Sequence, residues 1–188
     1  MVYLRSIASV TFLAALLAGC SSKSDLPELG SVPAFTLTDQ TGETFASADH
    51  LNGQVWVADF MFTTCPGPCP RMSSQMHQVQ MALEKEGIKL VSFTVDPAHD
   101  TPAVLAEYGK TYKASPGVWY FLTGTQPELN HMSLDVFKLG PVDGTFEHST
   151  RFVLVDRQGH IRQYYLTAEP DAIPTLIEDA RTLLRETA

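Results

Sequence analysis

Apolar runs of two distinct periods divide the chain into strands and helices. Val55-Trp56-Val57-Ala58-Asp59-Phe60-Met61-Phe62 is interrupted by a single carboxylate, so 54–62 is expected as a buried strand following the Asn52-Gly53 turn. From Pro70 onward the period changes. Met72, Met76, Val79 and Leu83 recur at steps of four, three and four, which gives a helix one apolar face. That helix is expected to stop at Gly87, with Lys85 in its last turn, because glycine accepts the left-handed conformation that closes a helix. Lys89 to Val95 is apolar and β-branched again, a second buried strand. Strand, helix and strand in this order imply parallel pairing with a right-handed crossover.

The remaining pattern continues in the same style. Phe35-Thr36-Leu37 and Glu43-Thr44-Phe45 flank Asp39-Gln40-Thr41-Gly42, which predicts an N-terminal hairpin. Asp100 or Thr101 caps a helix that has Pro102 in its first turn and runs to about Lys113. Val118 to Leu122 reads as a third apolar strand and Gln126 to Phe137 as a helix. Phe152–Val155 and Ile161–Leu166 flank a five-residue turn, a second hairpin, and a helix over Asp171–Thr187 closes the chain. Strands joined by helices around one sheet make an α/β architecture, a central mixed sheet flanked by helices.

The first nineteen residues stand apart. Arg5 precedes the apolar run Ile7 to Ala18, which is too short for a comfortable membrane span and ends in Leu17-Ala18-Gly19-Cys20. This reads as a signal peptide, and its ending resembles the lipobox of bacterial lipoproteins. The resemblance implies cleavage before Cys20 and acylation of its thiol. The expected organisation is a lipoprotein signal peptide over 1–19, a tether over 20–33 and one domain over 34–188. The place implied is the bacterial cell envelope, with the domain lipid-anchored and facing the periplasm or extracytoplasmic space. The net charge of −8 becomes −9 once Arg5 is removed. An acidic domain without a Lys/Arg cluster argues against nucleic acid and against an electrostatic membrane patch.

Composition then narrows the chemistry. Of three cysteines one is the expected anchor, leaving Cys65 and Cys69. They lie in Cys65-Pro66-Gly67-Pro68-Cys69-Pro70, between the first buried strand and its helix. Each proline fixes its own φ and keeps its predecessor out of the helical region, so the loop is stiff and the helix begins near Pro70. A helix N-terminus beside the sulfurs is expected to favour thiolate. Such a pair forms a disulfide or binds a soft metal. Copper(I) takes thiolate and imidazole at low coordination number. Of six histidines, His50, His77, His99, His131 and His160 fall in polar turns or on solvated helix faces. His148 lies at the start of the 152–155 strand, whose edge reaches the cysteine loop if the sheet sets the two side by side; position alone leaves a ligand role and a surface role equally open. Met61, Met72 and Met76 fit core packing better than thioether ligation.

With a cysteine loop after its first central strand, the chain resembles the thioredoxin-like fold, and Asp59-Phe60 resembles the Asp-Phe pair in the thioredoxin strand leading to its cysteines. Thr64 to Pro70, Val95-Asp96-Pro97-Ala98-His99-Asp100-Thr101-Pro102, Phe121-Leu122-Thr123-Gly124 and His148-Ser149 before a Val-Leu-Val-Asp strand follow one another in order. Together, over about Leu29 to Arg185, they are similar to the Sco/SenC family of membrane-tethered copper proteins. The resemblance implies Cys65, Cys69 and His148 as copper ligands. It also implies maturation of the dinuclear copper centre of cytochrome c oxidase as the task, and the copper subunit of that oxidase as partner. Other envelope copper or thiol-redox proteins are further partners.

Asp96 is read as a turn residue, with an auxiliary role toward the metal as the alternative. Asp59, a carboxylate in a buried strand, is expected to be networked or to act as proton acceptor for a thiol. Copper delivery is the preferred reading. A redox-active Cys65–Cys69 pair that reduces the partner's cysteines, as a thiol–disulfide oxidoreductase, is the alternative. An envelope domain with one structural disulfide is the third, disfavoured because so short a loop gains little from cross-linking.

Overall fold

In a computed structural model, residues 24–143 and 149–186 are described. Two-residue β1 (Gly30–Ser31) is followed by β2 (Thr36–Asp39), β3 (Thr44–Ala46), the single turn α1 (Ser47–His50), β4 (Trp56–Met61) and α2 (Cys69–Leu83). Then come β5 (Lys89–Thr94), α3 (Pro102–Thr111), β6 (Trp119–Thr123) and α4 (Gln126–Asn130), which runs on through a wider π-type turn to Val136. The hairpin β7 (Arg151–Val155) and β8 (His160–Leu166) and the helix α5 (Ala172–Arg185) complete the chain. The strands form one mixed sheet in the order β1-β8-β7-β4-β5-β6-β2-β3. β4 pairs parallel with β5 and β5 with β6, while every other pairing is antiparallel.

The apolar runs sit where their burial is needed. All six residues of β4 are buried, and Met72, Met76, Val79 and Leu83 of α2 are fully buried as their spacing predicts. The rings of Phe60 and Phe93 stack at 4.9 Å, with Phe137 edge-on to Phe60 at 5.7 Å. After α2 the chain tightens into a 3-10 turn over Glu84–Glu86 and reverses at Gly87, whose φ of +95° only glycine adopts without strain. The N-terminal hairpin forms, with Leu37 opposite Phe45, and Asp39 Oδ1 accepts from the backbone N–H of both Thr41 and Glu43 in its turn. It does not stand apart, because β2 adds antiparallel to β6 and so extends the main sheet.

The segment Ser24–Val32, assigned by sequence to the tether, lies against β8. Gly30 pairs with Ile161, and the Leu29 and Val32 backbone N–H groups donate to the carbonyls of Ile161 and Gly159. Arg162, fully buried, holds the preceding residues. Its Nε donates to the Pro27 carbonyl at 3.0 Å and its Nη2 to the Leu26 carbonyl and Ser24 Oγ, while Nη1 pairs with the buried Asp156 at 3.0 Å. A buried guanidinium must have its donors satisfied, and this segment supplies the acceptors. Among the described residues, contacts with the sheet thus reach back to Ser24, within the stretch expected as tether.

Candidate functional site

The cysteine loop is set by β4 and α2. After Met61 the chain turns through Phe62–Cys65, where the Cys65 backbone N–H donates to the Phe62 carbonyl at 3.3 Å. Pro66-Gly67-Pro68 then leads into α2, of which Cys69 is the first residue and Pro70 the second. Cys69 is fully buried and Cys65 nearly so, and their sulfurs are in hydrogen-bonding contact as thiols, not joined as a disulfide. The expectation of an easily ionised pair does not hold for Cys69. Burial pushes its thiol well above the ordinary cysteine range, and contact with Cys65 raises it further. A backbone hydrogen bond with Phe62 works the other way without offsetting the burial. Desolvation of a charge outweighs a helix N-terminus once the sulfur is sealed in the core.

Asp59 lies beneath this pair on β4. It is fully buried, and its negative charge is felt by Cys69. Ser92 of β5 donates to Asp59 Oδ1 at 2.6 Å, and the Trp119 indole N–H of β6 donates to Ser92 Oγ at 2.9 Å. Oδ2 has no hydrogen-bond partner among the described residues. Burial lifts the Asp59 carboxyl from 3.8 to about 7, with the Ser92 hydrogen bond pulling the other way. The group thus titrates near neutrality, close enough to Cys69 for its charge to act on that thiol.

The second loop of the site follows β5. Because Met61 pairs with Thr94 in register and Val95 donates to the Met61 carbonyl at 2.8 Å, residues 95–100 lie beside 62–65. Asp96 closes the turn: its carbonyl accepts from Asp100 at 2.8 Å, and its backbone N–H donates to Thr94 Oγ1 at 2.9 Å. Asp100, buried completely, is the clamp. Its Oδ2 accepts from Thr94 Oγ1 at 2.6 Å and from the Thr63 backbone N–H at 3.1 Å, and its Oδ1 accepts from Thr63 Oγ1 at 2.5 Å. His99 joins the same carboxylate, Nδ1 to Oδ1 at 3.0 Å, which raises the pKa of its half-exposed ring. Thr101 Oγ1 takes the capping role on α3, leaving Asp100 to the loop.

Cys65, Cys69 and Asp59 are thus brought together, while Asp96 serves the neighbouring turn. His148 and Cys20 fall outside the described residues. Topology bears on the former: β7 runs antiparallel to β4, so the chain entering β7 at Ser149–Thr150 lies at the end of the sheet where β4 delivers the cysteine loop. Among the described residues no three His, Cys, Asp or Glu side chains converge on a metal position. The sequence gives Ser92, Trp119 and Thr63 no role at the site, and Asp100 only that of a candidate helix cap, which Thr101 takes instead. A serine inside the apolar run Lys89–Val95 and a buried tryptophan with an N–H to satisfy were the available signals.

A family model described as SCO1/SenC matches residues 25–185. The SCO1 protein homolog of Bacillus subtilis is 34% identical over 158 residues, covering 80% of this chain and 81% of its own. A protein of Stutzerimonas stutzeri named as a putative copper-binding protein is 33% identical over 146 residues, 73% of this chain and 70% of its own. Among solved structures, BsSco superposes with a TM-score of 0.73 at 31% identity, covering 86% of this chain and 96% of that one. It is described as a member of the Sco family of cytochrome c oxidase assembly proteins and as containing a disulfide switch.

Proposed function

The chain belongs to the SCO1/SenC family, and on that premise we propose that it is a copper-binding protein of the bacterial cell envelope that delivers copper to the dinuclear centre of cytochrome c oxidase. The observation that carries this reading is the Cys65–Cys69 pair, two thiols in contact on a proline-stiffened loop. Deprotonated, they offer two soft donors, and His148 supplies an imidazole as the third. Its support is its position in the sequence immediately before Ser149, the described residue that stands at the cysteine end of the sheet. Acylated Cys20 holds the protein to the membrane. The likeness to a protein named for copper binding and to an oxidase-assembly family supports both the cargo and the partner, the oxidase subunit that receives copper.

The chain's own residues account for loading. Burial keeps the Cys69 proton in place until a cation arrives, and Asp59, poised near neutrality below it, accepts the proton that must leave. Titration of the reduced protein with copper(I) tests the assignment. One copper per chain is expected, lost in Cys65→Ser with Cys69→Ser and in the oxidised protein, and weakened in His148→Ala. Stoichiometric copper in the double serine variant would overturn it.

The Asp59 geometry also favours a second reading, reduction of the partner's disulfide. The Cys65 thiolate attacks one partner sulfur and displaces the other as thiolate. Cys69, having given its proton to Asp59, then attacks Cys65 and releases the second partner thiolate. The partner gains two electrons, and Cys65–Cys69 is left as a disulfide. Envelope thiol-redox proteins reset the pair.

A further inference from the structure

His99 looks by sequence like a surface residue of a polar turn, yet its ring stands against the cysteine loop. Nδ1 lies 3.0 Å from Asp100 Oδ1 and 3.4 Å from Thr63 Oγ1. Thr63 precedes Cys65 by two residues, a path of at most about 7 Å along the backbone. Asp100 is completely buried and holds three further hydrogen bonds from Thr63 and Thr94. The imidazole is therefore not a loose surface ring but one held at Nδ1 by a buried, fully hydrogen-bonded carboxylate.

The hydrogen-bond chemistry decides the tautomer. An ionised carboxylate only accepts, so Nδ1 carries the hydrogen and the lone pair of the neutral ring is on Nε2. By ring geometry that lone pair diverges from Asp100. Half of the side chain is open to solvent. A carboxylate behind one ring nitrogen, with the other nitrogen presented outward, is the arrangement that orients histidine as a metal ligand and raises its donor strength. The other histidines with nearby carboxylates differ. His131 pairs with the exposed Asp135, whose surroundings fix nothing, and His160 sits with Asp156 at the opposite end of the sheet from the cysteine loop.

We propose that His99 Nε2 is a docking ligand for copper at the rim of the cysteine loop, where the cation is held on its way into and out of the Cys65–Cys69 pair. The proposal rests on the copper reading of that pair and adds a kinetic station to it. Copper(I) accepts a lone imidazole as a weak ligand and prefers thiolate, so a histidine beside the loop captures the ion and the sulfurs then draw it inward. Asp100 ties the two positions together, because the same carboxylate fixes the His99 ring and the turn that carries Cys65.

The test compares the full-length protein with His99→Gln. Copper(I) is passed from a coloured chelator in a stopped-flow instrument, and final affinity is measured by competition. His99→Gln is expected to load about ten times more slowly, since capture steps vary over one to three decades among related variants. Its final affinity should stay within about twofold of wild type, well under the tenfold that marks a lost ligand. Silver(I), a redox-inert soft cation, is the second probe. At substoichiometric silver the His99 ring resonances should shift in the Cys65→Ser, Cys69→Ser protein, where the inner donors are gone. Equal loading rates, or unmoved His99 resonances, would overturn the proposal. A fall in rate matched by an equal fall in affinity would do so too, because it marks a purely structural ring. Failure of the copper reading itself looks different: the wild-type protein would take up no copper at all.

Discussion

Replacing Asp59 with asparagine should make the protein more stable at pH 8 and slower at thiol exchange, two effects of opposite value from one change. The carboxyl ordinarily titrates at 3.8 and does so here at about 7, chiefly through burial. An acid whose folded pKa is raised binds its proton more tightly in the fold. It therefore carries no penalty below about pH 4, a growing one between about 4 and 7, and a constant one above. That plateau is worth on the order of 4 kcal/mol. Asparagine removes the charge and keeps an oxygen for Ser92. It places an amide where Oδ2 now lacks a partner among the described residues, which costs about 1–3 kcal/mol. The expected balance is a gain of about 1–3 kcal/mol at pH 8, falling to a net loss by pH 4. Urea denaturation at the two pH values reads it. The exchange arm follows from the place of Asp59 below Cys69. Without that base the Cys69 proton leaves more slowly, so disulfide exchange should fall about ten- to a hundred-fold in stopped flow, with copper affinity little changed. Lower stability at pH 8 would refute the desolvation argument. Unchanged exchange would leave Asp59 a structural residue and strengthen delivery over reduction.

Asp100→Asn keeps the size of the clamp but removes its charge and turns one acceptor into a donor facing hydroxyls and an N–H. A loss of about 2–4 kcal/mol in denaturant unfolding is expected, with faster amide exchange at Thr63. Arg162→Met leaves Asp156 buried without its cation and Ser24–Pro27 without donors. It should cost about 3–5 kcal/mol and expose that segment to proteolysis. Mass spectrometry of the membrane fraction should find a mature chain starting at an acylated Cys20, and a soluble product with an unmodified Cys20 would contradict the anchor.

Much of the fold was legible because its signals are local. The unbroken apolar run of β4 and the four-three-four spacing in α2 each specify their own burial, and the hairpins announce themselves through turn residues. What stayed hidden depends on register between distant segments. β2 joins β6 through pairs such as Thr38 and Thr123, which no local pattern encodes. The same holds at the site. Asp59 stood out because an isolated carboxylate in a buried strand demands an explanation. His99 and Asp100 did not, since Asp-Pro and Asp-Thr-Pro explain themselves as turn and cap. Only the parallel register of Met61 with Thr94 brings their loop against the cysteines. The Cys69 thiol was misjudged for a related reason: the helix start is written in the prolines, but the depth of its first residue is not.

Arg162 and the segment it holds give the molecule a direction. Ser24 is fastened to Glu186 just beyond the C-terminal end of α5, at the end of the sheet where β4 begins, whereas the cysteines stand where β4 ends. Six residues of strand separate these poles by about 20 Å. Any restraint applied upstream of Ser24 therefore grips the domain by its base. The cysteine pair stands at the opposite pole, a full strand length from that grip.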